Sequence, residues 1–262
     1  MPRAIAFGFY GRWQRVSWLR RPDLLKANTL LHVNPELDTA QLASQYRAHG
    51  RVRINRILAD GASYLLGAFE QSENWVQLIN HREGVHEIPY RQWTKPNFPG
   101  RKTITNDMFE NACDGFQYNY AALRLPNTDE NHPDTTLADI AGLMESQPML
   151  KLLEAVTGVT SPYFTDGQAT AYGCGDFLTG HDDDLVGARR RTAFVLGLTP
   201  QWRTEWGGLL LFHDHGHPEL QGLLPQFNTL DLFAVPKYHS VSLVSKAAPR
   251  RRFAITGWLS AP

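Results

Sequence analysis

Apolar positions keep a helical rhythm in the first half of this chain and an alternating one in the second, with the change near Gln168. Leu42 and Tyr46 stand one turn apart behind Asp38-Thr39, a capping pair, which predicts a helix up to Gly50. Val52, Ile54 and Ile57 then alternate loosely and predict a strand over 51–58. Asp60 is expected to cap a second helix whose buried stripe is Tyr64, Leu65, Ala68 and Phe69. Pro89, Pro96 and Pro99 make 84–101 read as irregular surface. Another strand is expected over 116–125. A helical region then opens at Thr135-Thr136 and runs to Val156, with Leu137, Ile140, Leu143, Leu152 and Leu153 on its apolar side. Pro148 lacks the N–H that a helix interior needs, so this region should fall into two pieces.

From Gln168 the pattern becomes short β-type runs over 168–174, 177–181, 191–198, 208–212, 229–235, 239–244 and 251–259, with glycine and proline between them. Runs so short and so close together predict an antiparallel sandwich or barrel. The expected class is mainly β with a helical layer (α+β). One domain over 34–262, with its β core at about 168–260 and its helices drawn from the N-terminal half, is the most economical architecture. Residues 1–33 stand apart, because Arg3, Arg12, Arg15, Arg20, Arg21 and Lys26 face the single acid Asp23. An arginine-rich start of this kind fits a targeting segment, a disordered extension or a start codon placed too far upstream.

Charge and cysteine content exclude several partners. Lys+Arg and Asp+Glu both number 26, so the formal net charge is zero and no bulk polyanion is implied. Nucleic acid is disfavoured accordingly, although Arg189-Arg190-Arg191 could touch a phosphate locally. Two cysteines, Cys113 and Cys174, do not make a disulfide framework, so a reducing, cytoplasmic setting is the simpler reading. No apolar run approaches the roughly 20 residues that span a bilayer.

Candidate chemistry centres on His181-Asp182-Asp183 and on His239 far downstream. Two imidazoles and one carboxylate on one face of an octahedral ion leave the opposite positions open, the facial triad of non-haem Fe(II) oxygenases. With ten histidines in the chain, a chance H-x-D pair is expected, so the pair alone is a weak signal. His181 and Asp183 lie two positions apart, and in an extended segment both side chains would leave the same face. Asp182 or Asp184 could replace Asp183, but alternation favours Asp183 over Asp182, and Asp184 reads as solvated. His213-Asp214-His215-Gly216-His217 is a rival metal site that follows an apolar run and precedes Pro218, and we read it as a solvated turn.

On the last run Arg252, Ala254, Thr256 and Trp258 share one face. An inward arginine is costly unless paired, and a dicarboxylate would match its guanidinium fork. Thr256 could add a hydroxyl and Tyr172 a phenol, although Tyr172 could equally fill the core. A basic edge strand is the bland reading, since Arg250 and Arg251 are adjacent.

Together these segments resemble the Fe(II)/2-oxoglutarate dioxygenases of the prolyl-hydroxylase type. The matching pieces run from Tyr172 through Gly175 and His181 to Asp183, then 191–198, then Trp202 to Leu210, His239-Ser240-Val241, and Arg252 to Trp258. Within that group the chain looks most like the branch of the ribosomal-protein prolyl hydroxylases and their bacterial relatives. The resemblance implies a double-stranded β-helix (jelly-roll) core with supporting helices. It also implies Fe(II) held by His181, Asp183 and His239, and 2-oxoglutarate held by Arg252 with Thr256 and Tyr172. Leu210 and Trp258 would line the pocket. Some animal members carry a co-substrate-binding tyrosine where this chain has Gly197, which leaves Tyr172 as the phenol. The larger eukaryotic members add a second oxygenase-like domain, and no counterpart is expected here.

The implied reaction couples oxidative decarboxylation of 2-oxoglutarate by O2, with ascorbate as reductant, to hydroxylation of an unactivated C–H bond. The substrate it implies is a prolyl residue of a protein, with a translation component in view. A small-molecule oxygenase acting on a free amino acid or metabolite is the alternative. A noncatalytic jelly-roll sensing module is the third reading, disfavoured because a scaffold gains little from an inward arginine.

Overall fold

The computed structural model describes residues 31–81, 84–126, 134–213 and 218–261. Up to residue 30 the arginine-rich start lies outside them. In chain order the first elements are β1 (His32–Val33), α1 (Thr39–His49), β2 (Arg51–Asn55), β3 (Leu58–Asp60), α2 (Ala62–Gln71), β4 (Val76–His81), β5 (Gly84–Pro89), α3 (Tyr90–Trp93), α4 (Arg101–Ala112), β6 (Tyr118–Arg124), α5 (Thr135–Met144) and α6 (Gln147–Thr157). Eight strands follow: β7 (Tyr163–Tyr172), β8 (Phe177–His181), β9 (Arg190–Leu198), β10 (Leu210–His213), β11 (Leu220–Leu223), β12 (Phe227–Ala234), β13 (His239–Val241) and β14 (Arg252–Ser260). A single 3-10 turn, Thr204–Trp206, precedes β10.

Side-chain caps set the starts of three helices. Asp38 accepts from the N–H of Gln41, Asp134 from those of Thr136 and Leu137, and Ser146 from that of Met149. Pro148 sits in the first turn of α6, where a missing N–H costs nothing, so the division falls as predicted. Two expectations fail. Asp60 ends β3 rather than capping α2, whose N-cap is Gly61 with no side-chain bond. Tyr64 leaves the stripe and is exposed, its hydroxyl bonded to Thr136 and Asp139, while Ala62, Leu65 and Phe69 are buried. The stretch read as irregular surface also proves partly ordered: β5 pairs with β4 along its whole length before α3.

Ten strands run in the order β11-β10-β13-β8-β6-β7-β14-β9-β12-β2, with every pairing antiparallel. β6 makes the bend. Its Tyr118 and Asn119 pair with β8, whereas Ala121 to Arg124 pair with β7. The sheet therefore curls until Leu210 and Phe212 of β10 pack on Ala193, Val195, Phe233 and Ala254 of β9, β12 and β14. The intervening side chains of the same strands, Phe194, Leu196, Leu232 and Ile255 among them, face the other way onto Leu137, Ile140 and Leu153 of the helices. Burial on both faces explains why β9 reads as a nearly continuous apolar run. The outcome is the jelly-roll half-barrel with a helical layer on its back.

Among the described residues no helix is long and apolar enough to cross a membrane. Cys113 and Cys174 are both exposed and free.

Candidate metal centre

β8 ends at His181, β13 begins at His239, and the two histidines are direct partners across the antiparallel ladder. Their rings stand 4.1 Å apart. Asp183 closes the group: its Oδ1 lies 3.3 Å from His181 Nε2 and its Oδ2 3.5 Å from His239 Nε2. One ligand atom from each residue lies within 4.8 Å of the others, and among the described residues no other set of three does so.

Convergence arises differently from the expectation. Asp183 is not on an extended segment, because the strand stops at His181 and Asp183 has φ +64°. Aspartate tolerates that left-handed conformation better than most residues, and here the turn, not the pleat, returns the carboxylate to the imidazoles. Asp182 and Asp184 are exposed. Space is tight at Gly180 beside the site: a Cβ there would stand 2.5 Å from the Tyr238 ring, which would have to shift.

Each imidazole is oriented by the backbone. His181 Nδ1 lies 3.1 Å from the Thr179 carbonyl and His239 Nδ1 2.8 Å from the Lys237 carbonyl. A carbonyl only accepts, so Nδ1 carries a proton in both rings and each Nε2 faces Asp183, a donor to the carboxylate when protonated and a metal ligand when neutral. Phe116 and Phe233 wall the rings at 5.4 and 4.7 Å. Burial opposes charge on Asp183, yet the hydrogen bond and charge of His181, with His239 behind, hold it well below the ordinary carboxylate range. Burial also opposes the charge of His181, but Asp183 outweighs it and raises the ring. His239 falls to about 4, first through burial and then through repulsion by His181. Two neutral imidazole donors and one anionic carboxylate form an N2O set suited to a divalent transition metal, so these residues fit iron.

Of the rival histidine run only His213 is described, and it does not join this set. His213 ends β10, with Nε2 3.1 Å from Ser240 Oγ and its ring edge-on to Tyr238. Asp214-His215-Gly216-His217 lies outside the described residues.

Arg252 opens β14 opposite Tyr172 on β7. It is buried, its Nη1 donates to the Gly208 carbonyl at 2.9 Å, and its guanidinium lies 5.3 Å from the Tyr172 ring centre. No carboxylate among the described residues forms an ion pair with it. Burial pulls its pKa down, as desolvation does to any cation without a paired anion. Leu210 and Gly197 line the same narrow cleft. Tyr172 stacks on Tyr120 at 5.0 Å, and burial raises its phenol well above the ordinary value. Tyr120, bonded to Gln168, is pushed up to about 12, again by burial, so both phenols remain neutral donors.

Thr256 is half-buried on the same strand but does not line that cleft. Trp258 packs with Val195 and Leu210 inside the barrel. Its buried Nε1 has no acceptor within hydrogen-bond distance, although it faces Asp183 closely enough to help hold the carboxylate's charge. A tyrosine at position 197 would not fit this backbone, since a Cβ there meets the Gln226 carbonyl.

Sequence reasoning left two features without a role. Arg190 lies flat over Trp258 at 3.5 Å, pairs with Asp166 at 3.0 Å, and reaches the Asp183 carbonyl at 3.5 Å. Asp231 sits mid-strand among apolar neighbours and pairs with Arg53. An acid inside an apolar strand was the available signal for such a partner.

A model of the 2OG-Fe(II) oxygenase superfamily matches residues 167–260, which contain all three metal donors and Arg252. Residues 167–260 are a 2OG-Fe(II) oxygenase domain. Prolyl 3-hydroxylase OGFOD1 of Xenopus laevis is 35% identical over 113 residues, 40% of this chain and 22% of the relative. The chain thus spans about a fifth of the length of that curated relative. A 2OG-Fe(II) oxygenase family oxidoreductase from Burkholderia pseudomallei superposes with TM-score 0.59 at 15% identity, covering 89% of this chain and 96% of that one. A prolyl hydroxylase from Trichoplax adhaerens, solved with a hypoxia inducible factor peptide, gives 0.55 at 15% identity over 85% and 88%. At such identities the structural likeness speaks for the fold. Fe(II), 2-oxoglutarate and O2 are the cofactor and co-substrates of the oxygenase domain.

Proposed function

We propose that this protein hydroxylates prolyl residues of a protein or peptide substrate, and that residues 34–262 act as one domain in doing so. The observation that carries the reading is the convergence of His181, Asp183 and His239 in the same barrel as a buried arginine with no ion-paired acid among the described residues. The prolyl substrate is supported by the identity to a prolyl 3-hydroxylase across the oxygenase domain. That relationship also favours a component of the translation machinery as the target. Two free, exposed cysteines favour a reducing cytoplasmic setting.

His181, Asp183 and His239 would hold Fe(II). With 2-oxoglutarate and O2 that iron would supply the oxidising chemistry, coupling decarboxylation of 2-oxoglutarate to succinate and CO2 with hydroxylation of a C–H bond. Arg252 supplies the bidentate partner for the distal carboxylate, and the neutral phenol of Tyr172 can donate beside it. Leu210, Phe212 and Phe233 exclude water, while Trp258 and Arg190 steady Asp183.

The test is succinate release by the purified chain with Fe(II), ascorbate and 2-oxoglutarate. Slow release without added substrate is expected, and His181→Ala or Asp183→Ala should abolish it. Release that survives either substitution would overturn the metal assignment. Mass spectrometry of an extract treated with active enzyme should show peptides heavier by one oxygen at proline. Oxidation of free amino acids with no oxidised peptide would replace the protein substrate by a small one.

A further inference from the structure

The cleft beside Arg252 holds a second charged pair that the reading above leaves without a role. Arg53 of β2 and Asp231 of β12 are register partners and meet side-on, Nε to Oδ1 at 2.6 Å and Nη2 to Oδ2 at 2.7 Å. Both line the same cleft as Arg252, and Asp231 is buried there. Two cations and one anion therefore share a small, poorly solvated space. Asp231 attracts the Arg252 guanidinium and Arg53 repels it. Asp231 is held by Arg53, and no ion pair joins it to Arg252.

We propose that Arg53 is a positioning residue that keeps Asp231 occupied, so that Arg252 stays open to the distal carboxylate of 2-oxoglutarate. The proposal rests on the co-substrate reading of Arg252 given above. Both oxygens of Asp231 are satisfied in the fork of Arg53, which is the strongest geometry available to an arginine–carboxylate pair. A buried carboxylate deprived of that fork needs another cation, and Arg252 is the one the cleft offers. The resulting internal pair would have to break before a dianion could bind. Arg53 lies outside residues 167–260, on an edge strand that joins the sheet through β12 alone. A strand from outside the matched region would thus set the affinity of its co-substrate pocket.

Calorimetric binding of 2-oxoglutarate to the Mn(II)-loaded full chain tests this without turnover. Arg53→Met should weaken 2-oxoglutarate by about tenfold or more, the worth of one competing charge, with Mn(II) affinity unchanged. Adding Asp231→Asn to Arg53→Met should restore binding to within about twofold of the parent. A double variant as weak as Arg53→Met alone would overturn the proposal, because Arg53 would then touch the co-substrate itself or serve only the fold. Should Arg53→Met fail to fold, Asp231→Asn decides: parental or tighter binding supports the proposal, and a tenfold loss overturns it. Arg252→Ala separates the two readings. Unchanged affinity in that variant would overturn the co-substrate assignment, whereas a loss there with no effect of Arg53→Met would overturn the role of Arg53 alone.

Discussion

Trp258 shows how much a single side chain can carry in this site. Its indole lies under the Arg190 guanidinium and presents a buried N–H toward Asp183, the one metal donor held at positive φ. A carboxylate in a strained turn needs outside support to keep its orientation. Trp258→Phe keeps an apolar ring but removes that N–H and weakens the stacking with Arg190. We expect it to lower Fe(II) affinity about tenfold, the usual effect of losing a partner behind a ligand, and anaerobic metal titration measures this directly. An unchanged affinity would reduce Trp258 to pocket lining. The tryptophan was legible in the sequence as an inward residue on the face of Arg252. Its relation to Asp183 was not, because that contact joins residues far apart in the chain.

At the scale of the element, the turn between β7 and β8 places His181. Asp176 is buried there, accepting from the Gly173 N–H at 2.7 Å, from Gln77 at 3.0 Å and from Asn119 at 2.8 Å. Its main-chain carbonyl also accepts from the Val244 N–H, while the neighbouring Gly175 N–H donates to the Val244 carbonyl. Burial raises the acid to about 7 against these donors and the nearby Arg251, which lies among Trp75, Tyr90 and Phe253. The native value is raised above the unfolded one, so Asp176 contributes stability that is complete below about pH 4 and lost as pH rises through about 7. In that window the unfolded chain has released a proton that the native chain retains. Denaturant unfolding of Asp176→Asn and the parent should therefore shift in favour of the variant with rising pH, by up to about 1.4 kcal/mol per pH unit. A difference that stays flat from pH 4 to 7 would show that Asp176 is already ionised in the native state. Elements with a one-sided apolar pattern were readable from the sequence, α6 being the clearest. α4 was not, because Met108 is its only buried residue, and β11 is a short edge strand with three exposed positions. Neither carries the periodic signal that burial imposes.

For the whole molecule, the metal donors come from two adjacent strands and the turn after β8, so an ion bound there ties that arm of the curled sheet together. Binding only to the folded state raises stability by about 2.7 kcal/mol at a hundredfold excess over Kd. We expect chelation to lower the melting temperature by several degrees and Fe(II) or Mn(II) to restore it, with Asp183→Ala insensitive to both. Calorimetric scans check this, and an equal metal response in Asp183→Ala would place the stabilising ion elsewhere. By itself the sequence determined what is local: the helix cap at Asp38, the helix opening at Thr135, the break at Pro148, the alternation on β14 and the donor types at 181, 183 and 239. Those follow from interactions within a few residues. The tertiary structure alone decided which of them meet. β6 straddles two strands and curls the sheet, the ladder sets His239 opposite His181, Asp231 finds Arg53, and Arg252 is left buried without an acid. Register between distant strands is fixed by closure of the whole sheet, and no short stretch of sequence contains it.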